Sequence, residues 1–162
     1  MANKVLGVNP FAPASAVAEH ELGLIADDPR GGAFADAAHK YVKANGTITA
    51  GDAVQIDVSV TAAERHATVI RTSAADQPIE GIANVSATTG QFLFIQIAGR
   101  ATGVNTAGTI VAGAVLVPTA TAGQLDDTAI TTAAQAAALA VGRGTRALTT
   151  SASNKADVLL QA

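Results

Sequence analysis

The sequence predicts an all-β protein: a compact antiparallel β-barrel or sandwich of about eight or nine short strands, residues 37–162, behind an extended N-terminal arm, residues 1–36. Three observations carry this. Apolar residues recur with period two, most regularly where Val54, Ile56, Val58 and Val60 alternate with Gln55, Asp57 and Ser59. Gly-, Asn- and Ser-containing turns interrupt these runs at short intervals. The first 36 residues are broken by Pro10, Pro13, Pro29 and the Gly31-Gly32 pair, which cut any regular element short.

Composition bounds the rest. A chain of 162 residues can bury roughly 70% of the surface its unfolded form exposes, so neither metal nor disulfide is needed to hold it. Hydrophobic residues make up 49%, aromatics only 3% and charged residues 14%. The core is therefore aliphatic, and the surface is weakly charged, as expected where part of it meets other protein. A net charge of −3 and the scarcity of aromatic rings give no reason to expect a nucleic-acid partner. With no Cys, a thiolate metal site and a Cys nucleophile are excluded. No apolar run reaches the length of a membrane span. Ala14-Ser-Ala16 resembles a signal-peptide cleavage site, but Asn9, Pro10 and Pro13 interrupt the apolar stretch before it.

Within the arm, Ser15 to Ile25 could form a short helix capped by Ser15. Val5, Leu6, Val8, Phe11, Leu22, Leu24 and Ile25 are more apolar side chains than a solvated tail retains. They fit either a flap packed on its own domain or an arm that completes its burial on a neighbouring subunit. Fully extended, the arm would reach on the order of 110–130 Å.

Period two begins at Ala38. His39–Lys43 reads as a strand, Asn45-Gly46 as a turn, and Asp52–Val60 as a half-buried strand. Thr61–Arg65 turns the chain, His66–Thr72 returns as a strand, and Ser73–Pro78 is a loop. Ile79–Ser86, the turn Ala87–Gly90 and the strand Gln91–Arg100 form the centre of the fold; that last strand holds Phe92 and Phe94, two of the four Phe residues. Thr119–Asp127 reads as a loop at one end of the barrel. The Ala-rich 131–139 segment suits a loop or one helical turn up to Gln135, then a strand through Val141. Arg146–Thr150 and Asp157–Leu160 close the chain as a hairpin. One internal echo stands out: 46–51 (Gly-Thr-Ile-Thr-Ala-Gly) and 108–113 (Gly-Thr-Ile-Val-Ala-Gly) match at five of six places, as equivalent corners of a pseudo-symmetric barrel would.

Candidate chemistry is thin. Glu19-His20-Glu21 lacks the second His that a zinc helix needs, and His39 and His66 have no carboxylate at ligand spacing, so all three read as structural. Asp27-Asp28 and Asp126-Asp127 are paired carboxylates in turn contexts, where Asp caps backbone groups. Gly142-Arg-Gly144 is neither a phosphate loop nor a dinucleotide fingerprint, and no Ser lies in a nucleophile elbow. Arg100, Arg143 and Arg146 could form a patch towards an acidic partner if their strands are neighbours. No active site is expected, and no cofactor or metal.

Five stretches taken in order carry a resemblance: Ala44–Val54, Pro78–Ala83, Ile95–Gly99, Thr109–Gly113, and Ala140–Arg143 followed by a terminal apolar strand. From about Tyr41 to Leu160 they make the chain similar to the small capsid decoration, or cement, proteins of tailed bacteriophages. The resemblance implies a compact, non-catalytic β-barrel on the outer capsid surface of the virion, made in the host cytoplasm. Its implied partners are the major capsid protein and neighbouring copies of itself, as a trimer at three-fold axes, with no nucleic acid and no membrane. The alternatives are a receptor- or carbohydrate-binding β-module, for which Tyr41, Phe11 and Phe34 are the available rings, and an enzyme with its site at the Asp126-Asp127 loop.

Overall fold

The computed structural model describes residues 4–5, 8–30, 32, 36–74, 77–127, 133, 136, 144–149 and 154–161. Its strands are β1 (Lys4–Val5), β2 (Ile25–Asp27), β3 (Ala38–Ala44), β4 (Ala53–Ile56), β5 (Thr68–Arg71), β6 (Gly81–Ala83), β7 (Phe92–Asn105), β8 (Val117–Pro118), β9 (Leu125–Asp126), β10 (Gly144–Ala147) and β11 (Lys155–Gln161), with a 3-10 turn at Arg65–Ala67. One sheet runs β1-β2-β3-β5-β4-β6-β7-β11-β10, and a further β3–β7 pairing closes β3, β5, β4, β6 and β7 into a five-stranded barrel. β8 and β9 form a separate pair. The protein is all-β, and its ladders are antiparallel except β1–β2 and β3–β5.

β7 organises the molecule because it serves two cores. Its first half pairs with β3 and β6 in the barrel wall and sends Leu93, Ile95 and Ile97 inward onto Val42, Val54 and Val69. Its second half pairs with β11 and helps enclose a second core of Val104, Ile110, Leu116, Leu125, Val158 and Leu160. Between the halves lies Gly99, at φ +79, where a Cβ would sit 2.6 Å from the Ala37 Cα. Only glycine lets the strand bend there while the chain before β3 crosses so closely. Phe92 and Phe94, on the outward face of β7, join Tyr41 and Ala26 in a third cluster, covered by Val8, Leu22 and Leu24 of the arm. Each large side chain buried this way contributes about 1.5–3 kcal/mol.

The two echoed segments end in the same kind of turn, but Ile48 enters the barrel core and Ile110 the second core, so they are not related corners of one barrel, and the turn belongs to a larger set. The turns 21–24, 49–52, 88–91, 111–114 and 121–124 each close with a bond from the fourth N–H to the first carbonyl, 3.0–3.1 Å. Each holds glycine in third place at φ between +80 and +89, as a type II turn requires. In each, that glycine N–H donates to a carbonyl of another segment at 2.8–2.9 Å: Tyr41, Ala83, Ala44, Ala147 and Thr72 in turn. The corner is thus also a cross-strand tie, and at the buried Gly51 and Gly123 it satisfies a backbone donor that would otherwise be left unpaired.

Several expected elements come out differently. The strand expected over 52–60 stops at Ile56 because the Asp57 carboxylate gathers Asn45 Nδ2 at 2.5 Å, Ser59 N at 2.8 Å and Ser59 Oγ at 2.7 Å. This local turn outcompetes the ladder and leaves Val58 71% exposed rather than inward. The Ser15–Ile25 helix does not form. Its backbone is spent on strands: Ser15 and Phe92 exchange both bonds, at 3.0 and 2.8 Å, and Tyr41 N donates to Leu24 O at 2.9 Å. The strand expected over 79–86 is reduced to β6. Of the 131–141 segment only residues 133 and 136 are described, both helical and exposed; the rest of that expectation lies outside the described residues. Finally, the sheet runs across residue 36: β2 pairs antiparallel with β3, Ala26 opposite His39, so strands from both sides of the expected arm boundary share one ladder.

Candidate functional site

Of the candidate contact residues of the arm, Val8, Leu22, Leu24 and Ile25 sit on their own barrel. Val8, Leu22 and Leu24 pack on Tyr41 and Phe94, Ile25 packs against the barrel core from β2, and Val5 lies in β1. Leu6 is outside the described residues. Two polar ties reinforce the packing: Tyr41 Oη accepts from Glu19 N at 3.0 Å, and the His20 ring meets Tyr41 edge-on at 5.1 Å between centroids.

Phe11 belongs to a buried polar cluster that the sequence reading missed. Asp28 is bound by the Arg30 side chain, with Nε at 2.9 Å and Nη2 at 2.5 Å, and by Arg30 N at 2.8 Å. Its Oδ2 also lies 3.1 Å from His39 Nε2. On the other side of the ring, Asn84 Nδ2 lies 2.8 Å from His39 Nδ1 and donates to Pro10 O at 3.0 Å. The Phe11 ring stacks edge-on to His39 at 5.4 Å and carries the Arg30 guanidinium 4.5 Å above its centroid, a cation–π contact. Burial pushes the Asp28 carboxyl up, but the Arg30 and His39 hydrogen bonds and the Arg30 charge outweigh it and hold the pKa at about 2. Burial lowers the His39 pKa against the opposing pull of Asp28.

This cluster has the members of an acid–base dyad and not its geometry. His39 is fully buried and both ring nitrogens are engaged, so no lone pair or proton is offered to a substrate. The Asp27-Asp28 pair does cap, as expected, through Arg30 N. At the other pair, Val111 N donates to Asp127 Oδ2 at 2.9 Å and Asp127 N to Asp126 Oδ1 at 2.8 Å. His66 is exposed and its Nδ1 lies 3.0 Å from Ala63 O. Among the described residues no cluster of three or more His, Asp or Glu could hold a metal, and no helix is long and apolar enough to cross a membrane.

Beside the cluster opens a cleft of about 320 Å³ between arm and barrel, with Phe11, Arg30, Asn84, Gln96, Gly103 and Lys155 among its walls. Of the three arginines, Arg100 and Arg146 both stand opposite Leu159 in the ladder, one on each side, and so share one face of the sheet; Arg143 is outside the described residues. Arg100 is tied to Asp157 at 2.7 Å. Of the rings that a sugar could stack on, Tyr41 is only 3% exposed, Phe11 is covered by Arg30, and Phe34 lies outside the described residues. What the sequence missed here is a matter of distance: His39 meets Asp28 across 11 residues and Asn84 across 45, and only the capping role of the Asp27-Asp28 turn was local enough to be read.

No protein-family model matches the chain, and no curated protein matches it. Among solved structures it is similar to the N base of the head fiber gp8.5 of bacteriophage phi29, with a TM-score of 0.53 and 12% identity, over 78% of this chain and 94% of that one. At that identity the likeness is one of fold.

Proposed function

We propose that this chain is a structural protein of a tailed-phage virion, a decoration protein that binds the outer surface of the capsid and stabilises it. The observation that carries this reading is the fold shared with a phage head fiber base over most of both chains; the motif order from Tyr41 to Leu160 points the same way. The physical character of the molecule suits the role. Three hydrophobic clusters and the glycine corners that tie segments together make a stiff body, while the weakly charged exterior favours repeated modest contacts over one deep site. Contacts of roughly 800 Å² per partner become durable when linked copies raise the effective concentration. The partners in this reading are the major capsid protein and neighbouring copies of the chain, grouped at three-fold axes. Because Val8, Leu22 and Leu24 are committed to their own barrel, contact from the arm falls to its outer side, where Val17 is 70% exposed. Among the described residues nothing favours a carbohydrate-binding role, since Tyr41 is buried and Phe11 is covered.

The test is co-sedimentation of the purified protein with expanded, undecorated phage heads, together with its mass in solution. Saturable binding at a fixed ratio to the major capsid protein is expected. Failure to bind any expanded shell would sink the reading.

A further inference from the structure

The hydrogen-bond directions around His39 fix its protonation state and give the arm a latch. Asn84 Nδ2 donates to Pro10 O, so the amide presents its NH₂ end to both neighbours; the opposite orientation would set its oxygen against a carbonyl oxygen. The second N–H of that group points at His39 Nδ1, which must therefore accept. The ring proton is then on Nε2 and is donated to Asp28 Oδ2. His39 is neutral, and each polar atom in the chain from Asp28 to Pro10 has a partner of the right kind.

We propose that protonation of His39 unlatches residues 9–12 from the barrel, so that the arm's inner end is held by an acid-sensitive clasp. A proton arriving at Nδ1 sets an N–H against the Asn84 N–H. If the Asn84 amide turns to accept it, Oδ1 faces the Pro10 carbonyl and that bond is lost. Either way Pro10 and Phe11 are released, and with Phe11 goes one wall of the 320 Å³ cleft. Among the described residues, the charged groups around the ring are Asp28 and Arg30, both following β2. The arm presents only Pro10 and Phe11, the end of β6 presents Asn84, and β7 sets the neutral Gln96 opposite His39. Asp28 remains a carboxylate throughout the range concerned and keeps its hold on Nε2, so the ring stays and the arm moves. The arm's outer attachments, at Ser15 with Phe92 and at Glu19 with Tyr41, are hydrogen bonds made by backbone groups and the Tyr41 hydroxyl, and the Phe92 amide reports whether the opening stays at the inner end. The clasp acts within one chain and stands independently of the capsid reading.

The test is made on the full chain by NMR. At pH 7.5, long-range ¹H–¹⁵N correlation should show His39 as the Nε2–H tautomer; the Nδ1–H tautomer would overturn the proposal. Exchange of the Ala12 amide, which donates to Asn9 O, is then followed downward in pH and corrected for its intrinsic rate. It should accelerate by about tenfold per pH unit below 6.5, until folded His39 itself titrates, while the Phe92 amide stays protected. In His39→Gln the acceleration should vanish; equal pH dependence in the two proteins would overturn the proposal. If His39→Gln does not fold, Asn84→Asp decides: its carboxylate faces the Pro10 carbonyl, so Ala12 should exchange fast already at pH 7.5, and wild-type protection there would be the contrary result.

Discussion

Gly99 is where the architecture is most exposed to a single methyl group. A Cβ there would lie 2.6 Å from Ala37 Cα, 2.8 Å from Ala37 N and 3.0 Å from Ala37 Cβ, with φ at +79. Two costs follow for Gly99→Ala. Holding an L-residue in left-handed backbone costs about 1–2 kcal/mol, and relieving an overlap in a packed interior costs roughly 1–3 kcal/mol more. The second cost falls at the high end because the obstacle is backbone, and Ala37 O is itself held by Asp28 N at 3.1 Å. At about 2–4 °C per kcal/mol for a chain of this size, Tm should fall by roughly 8–20 °C. Gly90→Ala is the matched control, since Gly90 has φ +87 and nothing within 4 Å of its would-be Cβ. It carries the backbone cost alone, and its Tm should fall by only about 2–8 °C. Calorimetric melts of the two variants decide the matter, with Gly99→Ala/Ala37→Gly as a further check. Equal losses in Gly99→Ala and Gly90→Ala would refute the crossing of β7 and residue 37 as a contact that demands glycine. Full rescue by Ala37→Gly would show that the side chain, not the backbone, is the obstacle.

Asp28 should give the fold an acid-labile share of its stability. Its folded pKa is depressed, from 3.8 to about 2, so its contribution is complete above pH 3.8 and is lost as pH falls through about 2; at full extent it is ~2 kcal/mol. In urea melts the gap between wild type and Asp28→Asn should therefore shrink across that window, whereas a constant gap would mean that the carboxylate is not held by Arg30 and His39. Tyr41→Phe removes the acceptor for Glu19 N and should cost about 0.5–1.5 kcal/mol, with faster proteolysis within 16–22; unchanged cleavage there would show that the bond does not hold the arm. Removal of residues 1–36 should unfold or aggregate the remainder, because it strips β2 from β3 and uncovers Tyr41 and Phe94, 3% and 4% exposed in the full chain. A truncated protein that melts like the full one would make the arm an appendage after all.

Legibility in the sequence followed the range of the interaction. β3, the inward residues of β4 as far as Ile56, the turn after β6 and the closing hairpin β10–β11 were readable because alternation and turn chemistry are local. So was the Ile48/Ile110 echo, whose residues both reach a core, at 1% and 0% exposure. What could not be read was set by partners far along the chain. Asp57 looks like one more polar residue of an alternating strand, and only its three donors, one of them Asn45, explain why the strand ends before it. The outward face of β7 looks half polar until the arm is seen to cover Phe92 and Phe94. Ser15–Ile25 has a helix cap and apolar spacing, but tertiary pairing with β3 and β7 overrides that local preference. The polar cluster around His39 could not be read, because four segments supply it: residues 10–11, 28–30, 39 and 84.

The glycine corners show why motifs built on glycine turns specify a construction more than a family. Across the five corners only the glycine in third place is constant, with Thr first in three and Ala second in three, yet the hydrogen bonds are the same in all: one closing the turn, one reaching another segment. Such a corner can be written many ways, so its recurrence specifies a way of building a barrel rather than an ancestry. A fold match at 12% identity is what that construction would produce if the architecture outlasts the sequence. The same logic sets how the capsid reading has to be tested. With β2 and Asp28 built into the body that a truncation would remove, loss of binding after deleting 1–36 would report on folding as much as on contact. Val17→Asp, on the exposed side of the arm, perturbs the outer surface while leaving Tyr41, Phe94 and the His39 cluster in place. If the arm touches the shell or a neighbouring copy, that variant should keep the melt of the parent and lose affinity for expanded heads; retention of both would move the contact surface to the barrel.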